Sequence, residues 1–284
     1  MEIRIIDNQK TTMYDVLSNC IEKSQVIRIA VAFAQNSGFR LIKEALNEFF
    51  KSGGKATILI GLDFHTTDPI VLRELLSYRE AGYYLDFYCM HGKQKELLVY
   101  HPKLYLFNHG DNVVSIIGSS NLSKGGLLDN VELNVEISMK DTEEIYSDLT
   151  ESYLKMKFME NRFKPTHEYI DCYEDLHKKV RKGKSIINQP LYQKFKQIEE
   201  SLEKPKLVEL DLSGWMRLVY DNIPDEIFTN NDVYKLEEIF RSVYPENKNI
   251  KAKIRQQLQF LRNVGLLEHL SRNRWKKKIL ILDK

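Results

Sequence analysis

A layered α/β domain with a mixed sheet, followed by a small domain of three helices and a β-hairpin, is the architecture the sequence predicts. Three observations carry it. Apolar, β-branched runs alternate with stretches of helical spacing through the first hundred residues, the pattern of a sheet covered by helices. A hairpin follows from His101 to Ile117, and a sheet that takes in both crossover strands and a hairpin is mixed. From residue 206 to 284 the texture changes to short helical stripes and then a basic hairpin.

Taken in order, Glu2 to Ile6 has the look of a short strand, and Thr12 to Lys23 has helical spacing through Met13, Val16, Leu17 and Ile21. Gln25 to Phe33 is a buried strand. Ser37 is placed to cap the next helix, which runs through Leu41, Ile42, Ala45, Leu46 and Phe49 to Gly53-Gly54. Lys55 to Gly61 is a further apolar strand. Asp68-Pro69 opens a helix through Leu72, Leu75 and Leu76 that ends near Gly82, and Tyr84 to Tyr88 is again a strand. Asp141 to Met159 is a helical run with Tyr146, Leu149, Tyr153, Met156 and Phe158 as its apolar members. Pro165 interrupts it. The polar stretch up to about residue 205 is expected to connect two domains, 1–190 and 206–284, with the linker at about 165–205.

Composition bounds the function. The chain has 284 residues with 43% hydrophobic and 29% charged, enough apolar material for a core. A formal net charge of +2 means that affinity for a polyanion must come from local clusters. Cys20, Cys89 and Cys172 fit neither a zinc spacing nor a disulfide framework. The start of the chain lacks a signal-like apolar stretch and no run approaches a membrane span, so a cytoplasmic protein with no membrane partner is expected.

The chemistry is concentrated between His101 and Ile137. Period-2 geometry puts His101 and Lys103 side by side. Asn108 to Asn112 reverses the chain, and Val113 to Ile117 returns to end in Gly118-Ser119-Ser120-Asn121. His101, Lys103, Ser119 and Asn121 then converge. Histidine is a nucleophile or proton carrier near neutral pH. Lysine and asparagine donate to phosphate oxygens, and a Gly-Ser-Ser turn is expected to offer backbone N–H groups to an anion. Such donors can neutralise a phosphodiester's transition state without a metal or other cofactor. The tripeptides at His91 and His177 also read His-x-Lys, but no Gly-Ser-x-Asn follows them at hairpin distance.

His101-Pro102-Lys103, Asp111, six residues, then Gly118-Ser119-Ser120-Asn121 resembles the signature of the phospholipase D superfamily. The gap from Lys103 to Asp111 is longer than the family's, and Asn108 stands at the usual place of the aspartate. The resemblance implies an α-β-α sandwich with a mixed sheet and a covalent phosphohistidine. It also implies an acidic residue that orients the histidine: Glu132 by the usual interval, Glu136 as the fallback. Because the family's chemistry uses two histidines and this chain has one complete motif, it implies a homodimer with one shared site, its two-fold interface near Gly118 to Gly126. Lys124-Gly125-Gly126 lies just beyond the turn, within reach of backbone phosphate. Asp63-Phe64-His65 follows an apolar strand where ligand-facing loops sit, and no role is assigned to His65.

The C-terminal segment has a helix at Leu212 to Tyr220 and a second capped by Thr229 or Asn230 with Val233, Leu236, Ile239 and Phe240 inward. A third spans Asn249 to Asn263, and a hairpin turns at Ser271 to Arg274. That is the layout of a winged helix. Between Lys251 and Lys278 nine cations face one acid, Glu268. The expected DNA contacts are Lys251, Lys253, Arg255, Gln256 and Gln259 on the third helix, and Arg272, Arg274 and Lys276 on the hairpin. Ile254 to Asn263, Gly265 to Glu268 and the basic hairpin resemble the C-terminal winged helix of some type II restriction endonucleases. The two resemblances together imply a metal-independent, site-specific endonuclease acting on double-stranded DNA, with a methyltransferase encoded separately as its companion. The alternatives are a DNA-binding regulator that keeps the fold and a phosphatidyltransferase.

Overall fold

The alternating apolar runs assemble into one eight-stranded mixed sheet, with strand order β1-β7-β6-β5-β2-β3-β4-β8. The computed structural model describes residues 1–91, 99–182, 190–204 and 211–278. In chain order the elements are β1 (Glu2–Ile6), α1 (Met13–Lys23), β2 (Val26–Val31), α2 (Asn36–Lys51), β3 (Lys55–Gly61), α3 (Pro69–Glu80) and β4 (Leu85–Met90). Then come β5 (Lys103–His109), β6 (Asn112–Gly118), β7 (Asn134–Lys140), α4 (Glu144–Lys157), β8 (Arg162–Phe163), α5 (His167–Arg181) and α6 (Pro190–Ser201). Strands β2, β3 and β4 are parallel, joined by α2 and α3, whereas β5 runs antiparallel to β2 and forms the hairpin with β6.

Period-2 alternation explains which face is buried. Ile27, Ile29, Ala56, Ile58, Phe87, Cys89, Tyr105 and Phe107 join residues of α1, α2, α3, α5 and α6 in one apolar cluster. Local signals set the helix starts. Thr12 caps α1 by accepting from the Asp15 N–H, and Pro69 opens α3. The cap expected of Ser37 is not made: α2 begins one residue earlier, and its Asn36 N–H donates to Asp68 Oδ2 at 2.8 Å, a side chain from the entry to α3. A cap supplied across space leaves no mark in the local sequence.

Residues 165–205 were expected to link two domains. Their described part instead forms α5 and α6, with Tyr169, Ile170, Tyr173, Leu176 and Phe195 buried in the core. The aromatic stripe is there in the sequence, but the charges around it conceal it. Burying a phenylalanine such as Phe195 contributes roughly 1.5–3 kcal/mol, enough to hold a polar helix on the core.

The chain divides into one unit of Met1–Met139 with Met159–Pro205 and a second of Lys140–Phe158 with Lys206–Lys284. The expected boundary left α4 in the first domain. It belongs to the second because α4 supplies part of that unit's core. Ser147 Oγ accepts from the Trp215 N–H at 3.1 Å, and Lys157 Nζ donates to both carboxylate oxygens of Asp211 at 2.8 Å. Around α4 stand α7 (Gly214–Asn222), β9 (Ile227–Thr229), α8 (Asn230–Tyr234), α9 (Glu237–Val243), α10 (Ile250–Asn263), β10 (Leu267–Ser271) and β11 (Arg274–Lys277). The three strands form a sheet ordered β10-β11-β9. The expected second helix is two short ones, α8 and α9, and Ile239 is exposed rather than inward. Trp215 stacks on Tyr244 with centroids 4.4 Å apart. Among the described residues no helix is long and apolar enough to cross a membrane.

The Lys157–Asp211 pair, 0% and 1% exposed, is an ion pair inside this second core. Removing one partner takes from the other the opposite charge that it meets at 2.8 Å. Asp211→Ala is therefore expected to lower the unit's stability by roughly 3–5 kcal/mol, and the double change Lys157→Met with Asp211→Leu to recover most of it. Both tryptophans, Trp215 and Trp275, lie in this unit, so a urea titration followed by tryptophan fluorescence reads it. An unchanged midpoint for Asp211→Ala would refute the assignment.

Candidate active site

The hairpin that carries the histidine has a fixed register. Leu104 faces Ile117, Leu106 faces Ser115, and His109 faces Asn112 across a Gly110-Asp111 turn in which Gly110 has φ 78°. Asp111 is thus exposed at the hairpin tip. His101 lies at the other end of the strand, roughly 25 Å away at ~3.3 Å per residue, so the motif's aspartate is not part of the site. His101 and Pro102 precede β5, which starts at Lys103. Lys103 faces Val31 at the C-terminal end of β2. The site therefore sits where the parallel strands end, the edge at which sheet proteins place ligands.

His101 and Lys103 do meet. Lys103 Nζ lies 2.6 Å from His101 Nδ1 and 3.1 Å from Nε2, and it donates to the His101 carbonyl at 3.1 Å. Lys103 is only 8% exposed. Burial lowers its pKa, while the Glu132 carboxylate works to keep it charged. Burial and the neighbouring ammonium both lower the pKa of His101. The imidazole is accordingly held neutral, the form with a lone pair to give.

Ser119 and Glu132 form a second pair: the Ser119 hydroxyl donates to Glu132 Oε2 and accepts from the Leu133 N–H at 2.9 Å. Asn130 Nδ2 also donates to Glu132, at 3.3 Å. Glu136, the fallback, instead pairs with Arg4 of β1 at 2.5 Å. Between the two acids the structure puts Glu132 beside the site, bound to Ser119, and turns Glu136 to the edge strand. Asn121 is nearly buried, and its Oδ1 accepts from the Phe33 N–H at 3.4 Å, just past β2. Its amide nitrogen is the donor it has to offer an anion.

The Gly-Ser-Ser turn behaves differently from the expectation. Its N–H groups are used internally: Ser119 N donates to Leu133 O at 3.1 Å and Ser120 N to Asn134 Oδ1 at 3.1 Å. Asn134 Nδ2 returns a bond to Ser120 Oγ at 2.8 Å, and Tyr105 OH donates to Ser120 O at 2.9 Å. Gly118 is where β6 passes so close to the next strand that a Cβ would overlap Leu133 O and Asn134. The polar groups left near His101 are then side chains: Lys103, Asn121 and the Ser119 hydroxyl bonded to Glu132. Lys124 pairs with Asp129 at 3.2 Å. Among the described residues no group of three or more His, Cys, Asp or Glu is placed to hold a metal ion.

Two residues that sequence reasoning missed hold the histidine's approach. Asp63 Oδ2 accepts from the Tyr100 N–H at 2.9 Å, and the Arg162 guanidinium lies 4.0 Å from the Tyr100 ring centroid. Asp63 was legible as a strand-end acid, whereas Arg162 came from a polar stretch with no signal.

In the second unit the expected DNA contacts separate into two groups. Lys251, Arg255, Arg272, Arg274 and Lys276 are exposed, and the hairpin turns at Arg272-Asn273 with Asn273 at φ 61°. Lys251 lies 3.5 Å from Glu237, and Arg255 donates to Tyr234 OH at 3.1 Å. Lys253 is not presented: it is buried, with Nζ 2.7 Å from Asp148 and 3.8 Å from Glu144. Gln256 is exposed but reaches Glu151 at 3.4 Å, and Gln259 is half-buried. The acids of α4 cover this side of α10, a pairing no local pattern announces.

A family model described as "Cardiolipin synthase, PLD-like domain" matches residues 17–156, and one described as "Dam-replacing HTH domain" matches residues 212–277. Over these two ranges the chain is similar to a phospholipase D-like domain and to a Dam-replacing helix-turn-helix domain. Its fold is mixed α/β with a large mixed sheet, as expected. NucT from Helicobacter pylori is similar over 55% of this chain and 94% of its own, at 18% identity and TM-score 0.44. Nuc from Salmonella typhimurium, described as a phospholipase D family member, is similar over 55% and 93%, at 15% identity and TM-score 0.42. Phosphatidylserine synthase from Haemophilus influenzae is similar over 70% and 48%, at 11% identity and TM-score 0.45.

In the phospholipase D-like domain the His101 ring is expected to titrate below 6.5, its ordinary value, when its Cε1 proton is followed by NMR. Lys103→Met removes the neighbouring ammonium, so the midpoint should move up. A midpoint that stays put would mean that burial alone sets it.

Proposed function

We propose that this protein is a site-specific DNA endonuclease that hydrolyses phosphodiesters without a metal, through a phosphohistidine, at a site shared by two copies of the chain. The observation that carries the reading is the His101 imidazole held against the Nζ of buried Lys103, with Ser119, Glu132 and Asn121 on the neighbouring strand ends. In this reading a His101 imidazole nitrogen attacks phosphorus, and the P–O3′ bond breaks. The leaving 3′ oxygen takes a proton from His101 of the second copy, which enters the step as the imidazolium that the bound phosphodiester's charge favours, or the two histidines exchange these roles. Water then attacks the phosphohistidine and gives its proton to the other histidine, which releases a 5′-phosphate and restores the first. Lys103 and the Asn121 amide hold the non-bridging oxygens, and the Ser119 hydroxyl joins them when its proton turns from Glu132 to the phosphate. Glu132, bonded to Ser119, fixes that hydroxyl and balances Lys103, and through them sets the position of the histidine. The helix-turn-helix domain supplies the DNA contacts through Arg255 and Gln256 on α10 and through Arg272, Arg274 and Lys276 on the hairpin.

An apolar rim beside the site supports the two-copy arrangement. Val131 and Leu133, which flank Glu132, are 87% and 62% exposed, and Ile117, exposed too, precedes Gly118, whose backbone lies against Leu133. Such side chains around a catalytic group suit a surface that a second copy covers. Leu133→Asp is expected to give a monomer by light scattering with at least tenfold lower cleavage. A strictly monomeric wild type that still cleaves would refute the shared site.

The deciding test is digestion of phage DNA in excess EDTA, with His101→Ala alongside. Discrete bands from wild type alone are expected. Cleavage that requires magnesium would overturn the mechanism. No cleavage with or without magnesium would favour a DNA-binding regulator that keeps the fold.

A further inference from the structure

The turn after β3 is strained, tightly fastened and aromatic at its tip. Phe64 and His65 both take positive φ, 58° and 52°, a region that bulky side chains occupy only under strain. The turn does not relax because its surroundings over-determine it. Leu62 N donates to Met90 O at 2.8 Å, His65 N to Leu62 O at 3.2 Å, and Thr67 Oγ1 to Gly61 O at 2.7 Å. Tyr173 OH of α5 donates to Thr67 O at 2.9 Å. A Cβ on Gly61 would overlap the Ala32 carbonyl and come within 2.8 Å of the Tyr100 ring, so the turn is pressed against the segment that carries His101. His65 is folded inward on Tyr173, with ring centroids 5.8 Å apart. Phe64 is sent outward and is 73% exposed.

Position gives this ring a use. Asp63, its neighbour, bonds the N–H of Tyr100, the neighbour of His101. Standard backbone dimensions then place the Phe64 and His101 Cα atoms within roughly 15 Å, a few steps along a DNA strand at ~3.4 Å each. We infer that Phe64 stacks on a nucleobase one or a few nucleotides from the scissile phosphate. This rests on the nuclease reading given above. The base stays outside the protein: the cavity behind the ring, lined by His65, His91, Tyr192, Phe195 and Lys196, holds only about 80 Å³, well below the ~300 Å³ at which pockets begin to enclose ligands. A rigid, exposed aromatic of this kind stacks on any base or wedges into a base step.

The test pairs substitution at Phe64 with abasic substrates. Duplexes that carry the cut site and a single abasic residue at successive flanking positions are compared for kcat/KM. Wild type is expected to lose about tenfold or more at one position, the size of one aromatic–base stack. Phe64→Ala should lose as much on intact DNA and nothing further on that abasic substrate, and Phe64→Trp should stay near wild type. A merely structural role for the turn would lower Phe64→Ala equally on every substrate and leave the abasic penalty in place, which would overturn the inference. Equal rates for Phe64→Ala and wild type on intact DNA would also overturn it. The nuclease reading is scored separately, by wild-type and His101→Ala hydrolysis of methyl p-nitrophenyl phosphate. If wild type cleaves neither that diester nor DNA, the nuclease reading fails and the stacking role with it.

Discussion

The site depends on one reversal of strand direction. Strands β2, β3 and β4 run parallel, and β5 enters antiparallel beside β2 with Lys103 opposite Val31. An antiparallel strand starts where its parallel neighbours finish. His101 therefore lies at the same sheet edge as the turn at Phe33 after β2 and the turn at Asp63 after β3. Both turns bond into the site, Phe33 through Asn121 and Asp63 through Tyr100. Register matters as much as direction. A slip of one residue would turn Lys103 to the opposite face and carry its ammonium away from the imidazole.

That pairing has an electrostatic consequence. An ammonium 8% exposed against a neutral imidazole is a cation with one weak partner, and burial works against its charge. Glu132 offsets this from the Ser119 side without touching the ammonium's hydrogen bonds to His101. An anionic oxygen arriving at Lys103 would meet a donor already oriented, which costs less reorganisation than placing it on binding. The internal use of the Ser119 and Ser120 N–H groups fits the same picture. The turn's N–H groups go to holding the turn itself, which leaves side chains as the groups facing outward.

Much of this was legible because it is local. The strand run before Gly118, the proximity of His101 to Lys103 and the helix starts near Thr12 and Pro69 each follow from spacing within a few residues. What was not legible depends on partners far away in sequence. Asn36 is capped by Asp68, Ser120 is held by Asn134, and Tyr100 is held by Asp63 and Arg162. The helices α5 and α6 were hidden for a related reason. Their buried stripe of Tyr169, Tyr173 and Phe195 is thin, and charged residues around it dominate composition. The turn chemistry of Gly118-Ser119-Ser120 pointed to free N–H groups, and only tertiary context shows them spent on Leu133 and Asn134.

The cations of the second unit show how burial sorts residues that look alike in sequence. Lys253 and Arg255 are two positions apart on α10. Lys253 is itself buried and lies 2.7 Å from Asp148 and 3.8 Å from Glu144, so giving up these partners would leave a buried ammonium without them. It is committed to holding α4 and α10 together. Arg255 and Lys251 are exposed, and their contacts with Tyr234 and Glu237 are of the kind worth about 0–1 kcal/mol. Such contacts can be exchanged for phosphate or a base edge at almost no loss. A cation can serve a polyanion only if its present partner is cheap to leave, so exposure and not charge count marks Arg255, Arg272, Arg274 and Lys276 as the side chains that α10 and the hairpin have to offer.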